Sequence, residues 1–288
     1  MSIEDIRTVG VVGTGSMGVG IIQVAAQAGF QVRAVDVSPA AWDRASKTIA
    51  KSLERMVAKG TITEAELQGA LARISFSTEL ESLKEVPFVF EAVFENLGVK
   101  KELYEKLDGI TKEDVVYASN TSSLSITEMA ALVKHPGRFI GIHFFNPVPM
   151  MKLVEVIPAL QTEKATTDLA LEMAKKLGKT AITCKDTPGF VLNRLLVPYM
   201  LDAVRLLEAG VASKEDIDTA MKLGAGMPMG PFELMDFTGV EIAQLVGDIF
   251  FEATKEPRFA PPGLLKNMVK AGYLGRKAGK GFYEYSAK

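Results

Sequence analysis

The sequence predicts an α/β protein in which a mostly parallel sheet domain, carrying an inserted helical hairpin, precedes an all-α C-terminal domain. Three observations predict it. Over the first two-thirds of the chain short apolar runs alternate with helical stretches, the pattern of a parallel sheet covered on both faces. The first of these runs passes directly into a glycine-rich turn that opens a helix. After Asp186-Thr187-Pro188-Gly189 the strand signals largely stop. The domains are accordingly expected at 1–186 and 187–288.

In chain order, strands are expected over 8–12, 31–35, 74–77, 87–91, 115–119, 139–144, 153–156 and 180–183. Helices are expected between most of them, over 17–28, 40–59, 97–107, 127–133 and 164–177. The stretch 40–71 departs from this alternation. One long helix is broken at Gly60-Thr61-Ile62-Thr63, and Thr63 with Glu66 forms the start signal of a second. That is the inserted hairpin. In the second domain, 191–208, 214–222, 240–254 and 263–271 are expected to be helical.

Composition excludes several classes. The 288 residues are 48% hydrophobic and 24% charged, enough apolar content for a packed core. Thirty-three basic residues stand against 35 acidic ones, a net charge of -2, so no positive field gathers nucleic acid. No run approaches the roughly 18 apolar residues of a membrane span. The first seven residues carry acids and no apolar core, which argues against a secretory signal. The single cysteine, Cys184, cannot form an internal disulfide, and a cytoplasmic location is expected.

The glycine turn is the first chemical motif. Gly13, Thr14, Gly15, Ser16, Met17 and Gly18 form G-x-G-x-x-G between a strand and an apolar helix, the fingerprint of a Rossmann-type dinucleotide-binding sheet. Gly13 permits the tight turn, Gly15 lets a pyrophosphate approach the backbone, and Gly18 lets helix and strand pack closely. Asp36 ends the second strand about where an acid would hold the adenosine ribose hydroxyls. Val37-Ser38-Pro39 after it supplies no arginine for a 2′-phosphate, which favours NAD(H) over NADP(H).

Only two histidines are present. His135 lies in a loop signal before Pro136-Gly137 and reads as a solvated residue. His143 ends an apolar strand, where open α/β sheets bind ligands. Glu155 follows on another extended run, and adjacent strands would bring the two together as an acid/base and its orienting carboxylate. A satisfied core histidine with a surface glutamate fits the same pattern, and the residues alone leave both open. Lys51, Arg55 and Lys59 fall at i, i+4 and i+8 on one helix face, a stripe that by itself reads as solvated.

Several motifs in order carry a resemblance over nearly the whole chain. They are the glycine turn, Phe94-Glu95-Asn96-Leu97, Ser119-Asn120-Thr121-Ser122-Ser123, His143-Phe144-Phe145-Asn146-Pro147, Lys185-Asp186-Thr187-Pro188-Gly189-Phe190 and Pro228-Met229-Gly230-Pro231-Phe232-Glu233. With these the chain resembles the L-3-hydroxyacyl-CoA dehydrogenase family, most of all its stand-alone bacterial 3-hydroxybutyryl-CoA dehydrogenases. The resemblance implies NAD(H)-dependent interconversion of (S)-3-hydroxybutyryl-CoA and acetoacetyl-CoA, in butyrate or fatty acid metabolism. It implies His143 as acid/base, Glu155 as its partner, and Ser122 and Asn193 as substrate contacts. Ser122 would also lie beside the coenzyme, with Glu95, Lys100, Asn146 and Lys277. Ser52 and Lys59 would meet coenzyme A. The family pairs through its helical domain, so a homodimer is expected. Other readings of the same residues are a dehydrogenase of hydroxyacids or sugar acids without CoA, and a dinucleotide-binding protein without turnover. The joint presence of His143, Glu155, Ser122 and Asn193 argues against the latter.

Overall fold

The structure is a computed structural model that describes residues 1–285. It divides into two units, Met1–Phe190 and a second that begins at Val191.

The first unit is built on an eight-stranded sheet. Its strands are β1 (Thr8–Val12), β2 (Gln31–Val35), β3 (Ile74–Ser77), β4 (Phe88–Glu91), β5 (Val116–Ser119), β6 (Phe139–Phe144), β7 (Leu153–Pro158) and β8 (Thr180–Thr183), in the spatial order β3-β2-β1-β4-β5-β6-β7-β8. All pairings are parallel except β6 with β7. The exception has a simple cause. The residues between β6 and β7 hold no helix, and a parallel crossover needs a dozen residues or more.

Helices α1 (Ser16–Gln27), α2 (Pro39–Ala58), α3 (Glu64–Ala72), α4 (Leu97–Ile110), α5 (Ile126–Ala130) and α6 (Lys164–Lys176) join the strands. Side chains alternate between the sheet's two faces with the period of two. On β6, Ile140, Ile142 and Phe144 enter one apolar layer with α1 and α6, while Phe139 enters the other with α4 and α5. His143 shares the parity of Phe139. It therefore points to the second face, where the buried Phe190 ring lies 5.5 Å from it. This packing is why the first unit runs on to Phe190, past the boundary expected at Asp186.

The hairpin α2–α3 rests on α1 and buries Ala45, Ile49, Leu53, Leu67 and Ala70. Thr63 caps α3 as expected: its hydroxyl accepts the N–H of Glu66, and its own N–H donates to the Glu66 carboxylate at 2.7 Å.

The second unit is helical: α7 (Leu192–Glu208), α8 (Lys214–Thr219), α9 (Pro231–Thr238), α10 (Val240–Thr254) and α11 (Gly263–Lys270). Phe232, Phe250 and Phe259 are fully buried at its centre. Two details differ from expectation. The helix expected over 214–222 gives way at Ala220 to a wider π-type turn through Gly224. The eight-residue α9 falls between the expected helices. Its first-turn N–H groups, at Phe232 and Glu233, donate to the Asp218 carboxylate at 2.9 and 3.1 Å, so its cap comes from a distant residue. Among the described residues no helix is long and apolar enough to cross a membrane.

Candidate active site

The glycine turn leaves β1 at the sheet's carboxyl edge. Gly13 has φ 96°, a region that favours glycine, and a Cβ there would press on the Ala92 carbonyl. A Cβ on Gly18 would overlap the Gly13 carbonyl oxygen. Gly15 is different: a Cβ would meet nothing within 4 Å. Its openness serves no packing need of the chain, and it keeps the backbone before α1 bare for a ligand.

Asp36 closes the turn from the end of β2. Its Oδ2 accepts both the N–H and the hydroxyl of Thr14 at 2.8 Å, and its Oδ1 accepts the Ser38 N–H at 3.0 Å. A groove of about 740 Å³ runs past Gly13, Gly15, Met17, Asp36 and Glu95. Two exposed apolar side chains line it, Val37 at 92% and Phe94 at 77% exposure. An open glycine, a carboxylate and apolar walls in one groove fit a dinucleotide. In the sequence Val37 and Phe94 stand only as members of longer motifs, although an apolar residue beside a strand-ending acid is a usable signal for a groove wall.

His143 and Glu155 are register partners across the antiparallel β6–β7 pair. Nδ1 of His143 lies 2.8 Å from Oε2 of Glu155. Glu155 is fully buried and His143 is 5% exposed. A carboxylate at Nδ1 favours the tautomer with the proton there, leaving Nε2 to accept or donate one. Phe145 lies edge-on to the imidazole, its ring centroid 4.5 Å away, and limits its rotation. Burial, with Glu155 and Asp186 adding to it, pushes the nearby Cys184 thiol up to about 11, which disfavours its thiolate.

Ser122 sits on the loop after β5, and this loop is heavily tied. Asn120 Oδ1 accepts the N–H of Phe144, the residue after His143, at 2.9 Å. Glu95 Oε1 accepts the N–H groups of Ser122 and Ser123 at 3.0 and 3.2 Å, and the hydroxyl of Thr121. Lys100, from α4, is 1% exposed and donates to Glu95 at 2.8 Å and to Glu91 at 3.0 Å. Burial raises the Glu95 carboxyl, but Lys100 and the Thr121 and Ser122 donors outweigh it, and the group lies below its ordinary range.

Met17, Glu95, Lys100, Ser122, His143 and Asn146 thus line one cleft of about 330 Å³. Ser16 donates to Asn146 Oδ1 at 3.4 Å, which ties the glycine turn to the loop after His143. A wider groove of about 830 Å³ shares Asn146 with it, runs past Thr14 and Gly15 and continues along α2. Ser52 lines this groove, with Arg44, Lys51 and Arg55, and Arg44 went unnoticed in the sequence. Lys59 does not line it. That residue is the exposed C-cap of α2, one turn past Arg55. Asn193 and Lys277 belong to the second unit. Asn193 is the second residue of α7, and Lys277 lies in the short turn Arg276–Ala278, paired with Glu241.

Fold and site together are those of a two-domain, dinucleotide-binding dehydrogenase. Residues 8–187 match the model for the 3-hydroxyacyl-CoA dehydrogenase NAD binding domain, and residues 189–285 match that family's C-terminal domain. The chain belongs to the 3-hydroxyacyl-CoA dehydrogenase family. It is 46% identical to a 3-hydroxybutyryl-CoA dehydrogenase of Mycobacterium tuberculosis, over 98% of this chain and 99% of the relative. It is 45% identical to a probable 3-hydroxybutyryl-CoA dehydrogenase of Bacillus subtilis, covering 99% of each. The crystal structure of the (S)-3-hydroxybutyryl-CoA dehydrogenase of Ralstonia eutropha superposes with a TM-score of 0.95 at 47% identity, over 98% of this chain and 100% of that one.

Proposed function

We propose that this chain catalyses the NAD(H)-dependent interconversion of (S)-3-hydroxybutyryl-CoA and acetoacetyl-CoA, and acts in butyrate or fatty acid metabolism in the cytoplasm. The observation that carries the proposal is the His143–Glu155 pair in a cleft lined also by Met17 of the glycine turn. The names of the full-length relatives support the substrate.

In this mechanism Glu155 holds the imidazole, and Nε2 of His143 takes the proton of the 3-hydroxyl in oxidation or returns it in reduction. The coenzyme, when bound, exchanges hydride with C3 of the substrate. Ser122 donates to the 3-oxygen as charge develops there, and Asn193 contacts the substrate near the same centre. Glu95, Lys100, Asn146 and Lys277 position the coenzyme with the turn Gly13–Gly18. Asp36 takes the ribose hydroxyls, and its charge opposes a 2′-phosphate, so NADP(H) is disfavoured.

Coenzyme A would lie along α2 by Ser52, its phosphates met by the cations Arg44, Lys51 and Arg55 of the wider groove. Lys59 would reach it only at the groove's end. A second copy of the chain would cover α7, where Leu195 and Leu206 are 66% and 45% exposed. Sedimentation showing a monomer at micromolar concentration would contradict the dimer.

The decisive assay is NADH oxidation with acetoacetyl-CoA, beside NADPH and beside free acetoacetate, for wild type and His143→Gln. Fast turnover with NADH and the CoA ester alone is expected, with a loss of about 10²–10⁴ in the variant. Equal turnover of free acetoacetate would overturn the CoA-ester assignment.

A further inference from the structure

We propose that Glu91 is a positioning residue for this reaction: from the end of β4 it holds the loop that carries Ser122, through Ser119 by one route and through Lys100 and Glu95 by another. The inference rests on the function proposed above.

Glu91 is fully buried. It stands directly opposite Ser119 in the β4–β5 register. Its Oε2 accepts Ser119 Oγ at 2.6 Å, Lys100 Nζ at 3.0 Å and Tyr104 OH at 3.2 Å, while Oε1 accepts the Val93 N–H at 2.9 Å. The buried Glu91–Lys100 pair, which continues to the more exposed Glu95, is a poor way to gain stability, because apolar residues of the same volume commonly serve as well or better. Stability alone therefore does not account for it.

What the chain of charges does achieve is geometric. Ser119 Oγ, besides donating to Glu91, accepts the Thr121 N–H at 3.3 Å. The Asn120 N–H donates to the Glu91 carbonyl at 2.9 Å. Lys100 carries the restraint outward to Glu95, and Glu95 takes the N–H groups of Ser122 and Ser123. Every residue from Ser119 to Ser123 is thus bound to Glu91 or to its relay. Among the described residues Ser122 is held by its backbone and not by its hydroxyl, which stays available to a substrate. With the Glu91 charge removed, Lys100 keeps a single carboxylate partner and draws Glu95 toward it. The Ser122 backbone then follows.

The test is a double-mutant cycle in kcat and KM for acetoacetyl-CoA with NADH, using Glu91→Gln, Glu95→Gln and the pair, with Tyr117→Phe as a buried control outside the relay. Rates are normalised to the NADH-binding fraction, so a partly unfolded sample does not count as a slow enzyme. Glu91→Gln is expected to lose roughly 10- to 100-fold in kcat/KM, the scale of a small misplacement of a reacting group. The loss in the pair should fall short of the product of the two single losses, because both substitutions cut the Lys100–Glu95 route while only Glu91→Gln also cuts the route through Ser119. Tyr117→Phe should turn over as wild type. If Glu91→Gln does not fold, Glu91→Asp, which keeps the charge but withdraws it by one methylene, carries the same cycle. A folded Glu91 variant with wild-type constants, or losses that multiply in the pair, would overturn the proposal. An inactive wild type would overturn the functional reading itself, and is told apart by being seen before any substitution.

Discussion

Glu155 and His143 meet because they are paired residues of two antiparallel strands, and their 2.8 Å hydrogen bond is a product of strand register. A slip of one residue would turn every side chain of β7 to the other face and break the pair. The first prediction follows. Glu155→Gln keeps the shape of the side chain but removes the carboxylate that orients the ring. Turnover should fall by about 10²–10⁴ while NADH affinity stays within about 2-fold, read by steady-state rates and by a fluorescence titration. Loss of both together would mean that the substitution disturbs the sheet and not the imidazole.

The second and third glycines of the turn should differ in what alanine does to stability. At Gly15 the chain has φ -69° and open space, so Gly15→Ala should fold with an unchanged Tm and lose NADH binding, because the methyl occupies the ligand's side of the turn. At Gly18 the methyl strikes the Gly13 carbonyl. Gly18→Ala should cost about 1–3 kcal/mol, seen as a Tm lowered by roughly 3–10 °C, and should impair binding as well. Calorimetry with and without NADH distinguishes them. Unaltered coenzyme binding by Gly15→Ala would show that no pyrophosphate rests there.

Asp36 is predicted to set the coenzyme. Asp36→Asn retains an acceptor for Thr14 but removes the charge. The KM for NADH should rise about 10-fold and the preference over NADPH should narrow, since the repulsion of a 2′-phosphate is relieved. Parallel kinetics with the two coenzymes test it, and an unchanged preference would place discrimination elsewhere.

Glu95 predicts an acid limb. Its carboxyl lies below the ordinary value of 4.5 in the folded chain, so its contribution is complete above that value and is lost as pH falls through the folded one. Thermal stability should therefore decline below about pH 4.5, and Glu95→Gln should flatten that part of the Tm–pH curve. An identical curve in the variant would show that Glu95 gives the loop no net support.

Much of this was legible because it is local. The glycine turn, the strand that ends at Asp36 and the Thr63 cap are written in a few consecutive residues. So was the pair His143 and Glu155, once their strands were seen as neighbours. What escaped notice depends on distant partners. Helix α9 has Pro231 at its first position and Glu233 at its third reaching back to the Gly230 N–H, fair start signals, but the acceptor for its first-turn N–H groups is the distant Asp218. Glu91 looks like the polar end of an apolar strand until Ser119, Lys100 and Tyr104 close around it. Lys59 continued a sequence stripe that the structure ends, because α2 stops at Ala58 and the groove follows Arg44, Lys51 and Arg55 instead.

The placement of His143 and Glu155 on interior strands, with Ser122 on a loop, divides the cleft by cooperativity. The amides of β6 and β7 belong to the part of a domain that opens only with global unfolding, while loops open in smaller and cheaper excursions. The His143–Glu155 half of the cleft is thus kept in order for as long as the sheet survives, and the Ser122 half opens only when the hydrogen bonds that tie its loop to Glu91 and Glu95 break.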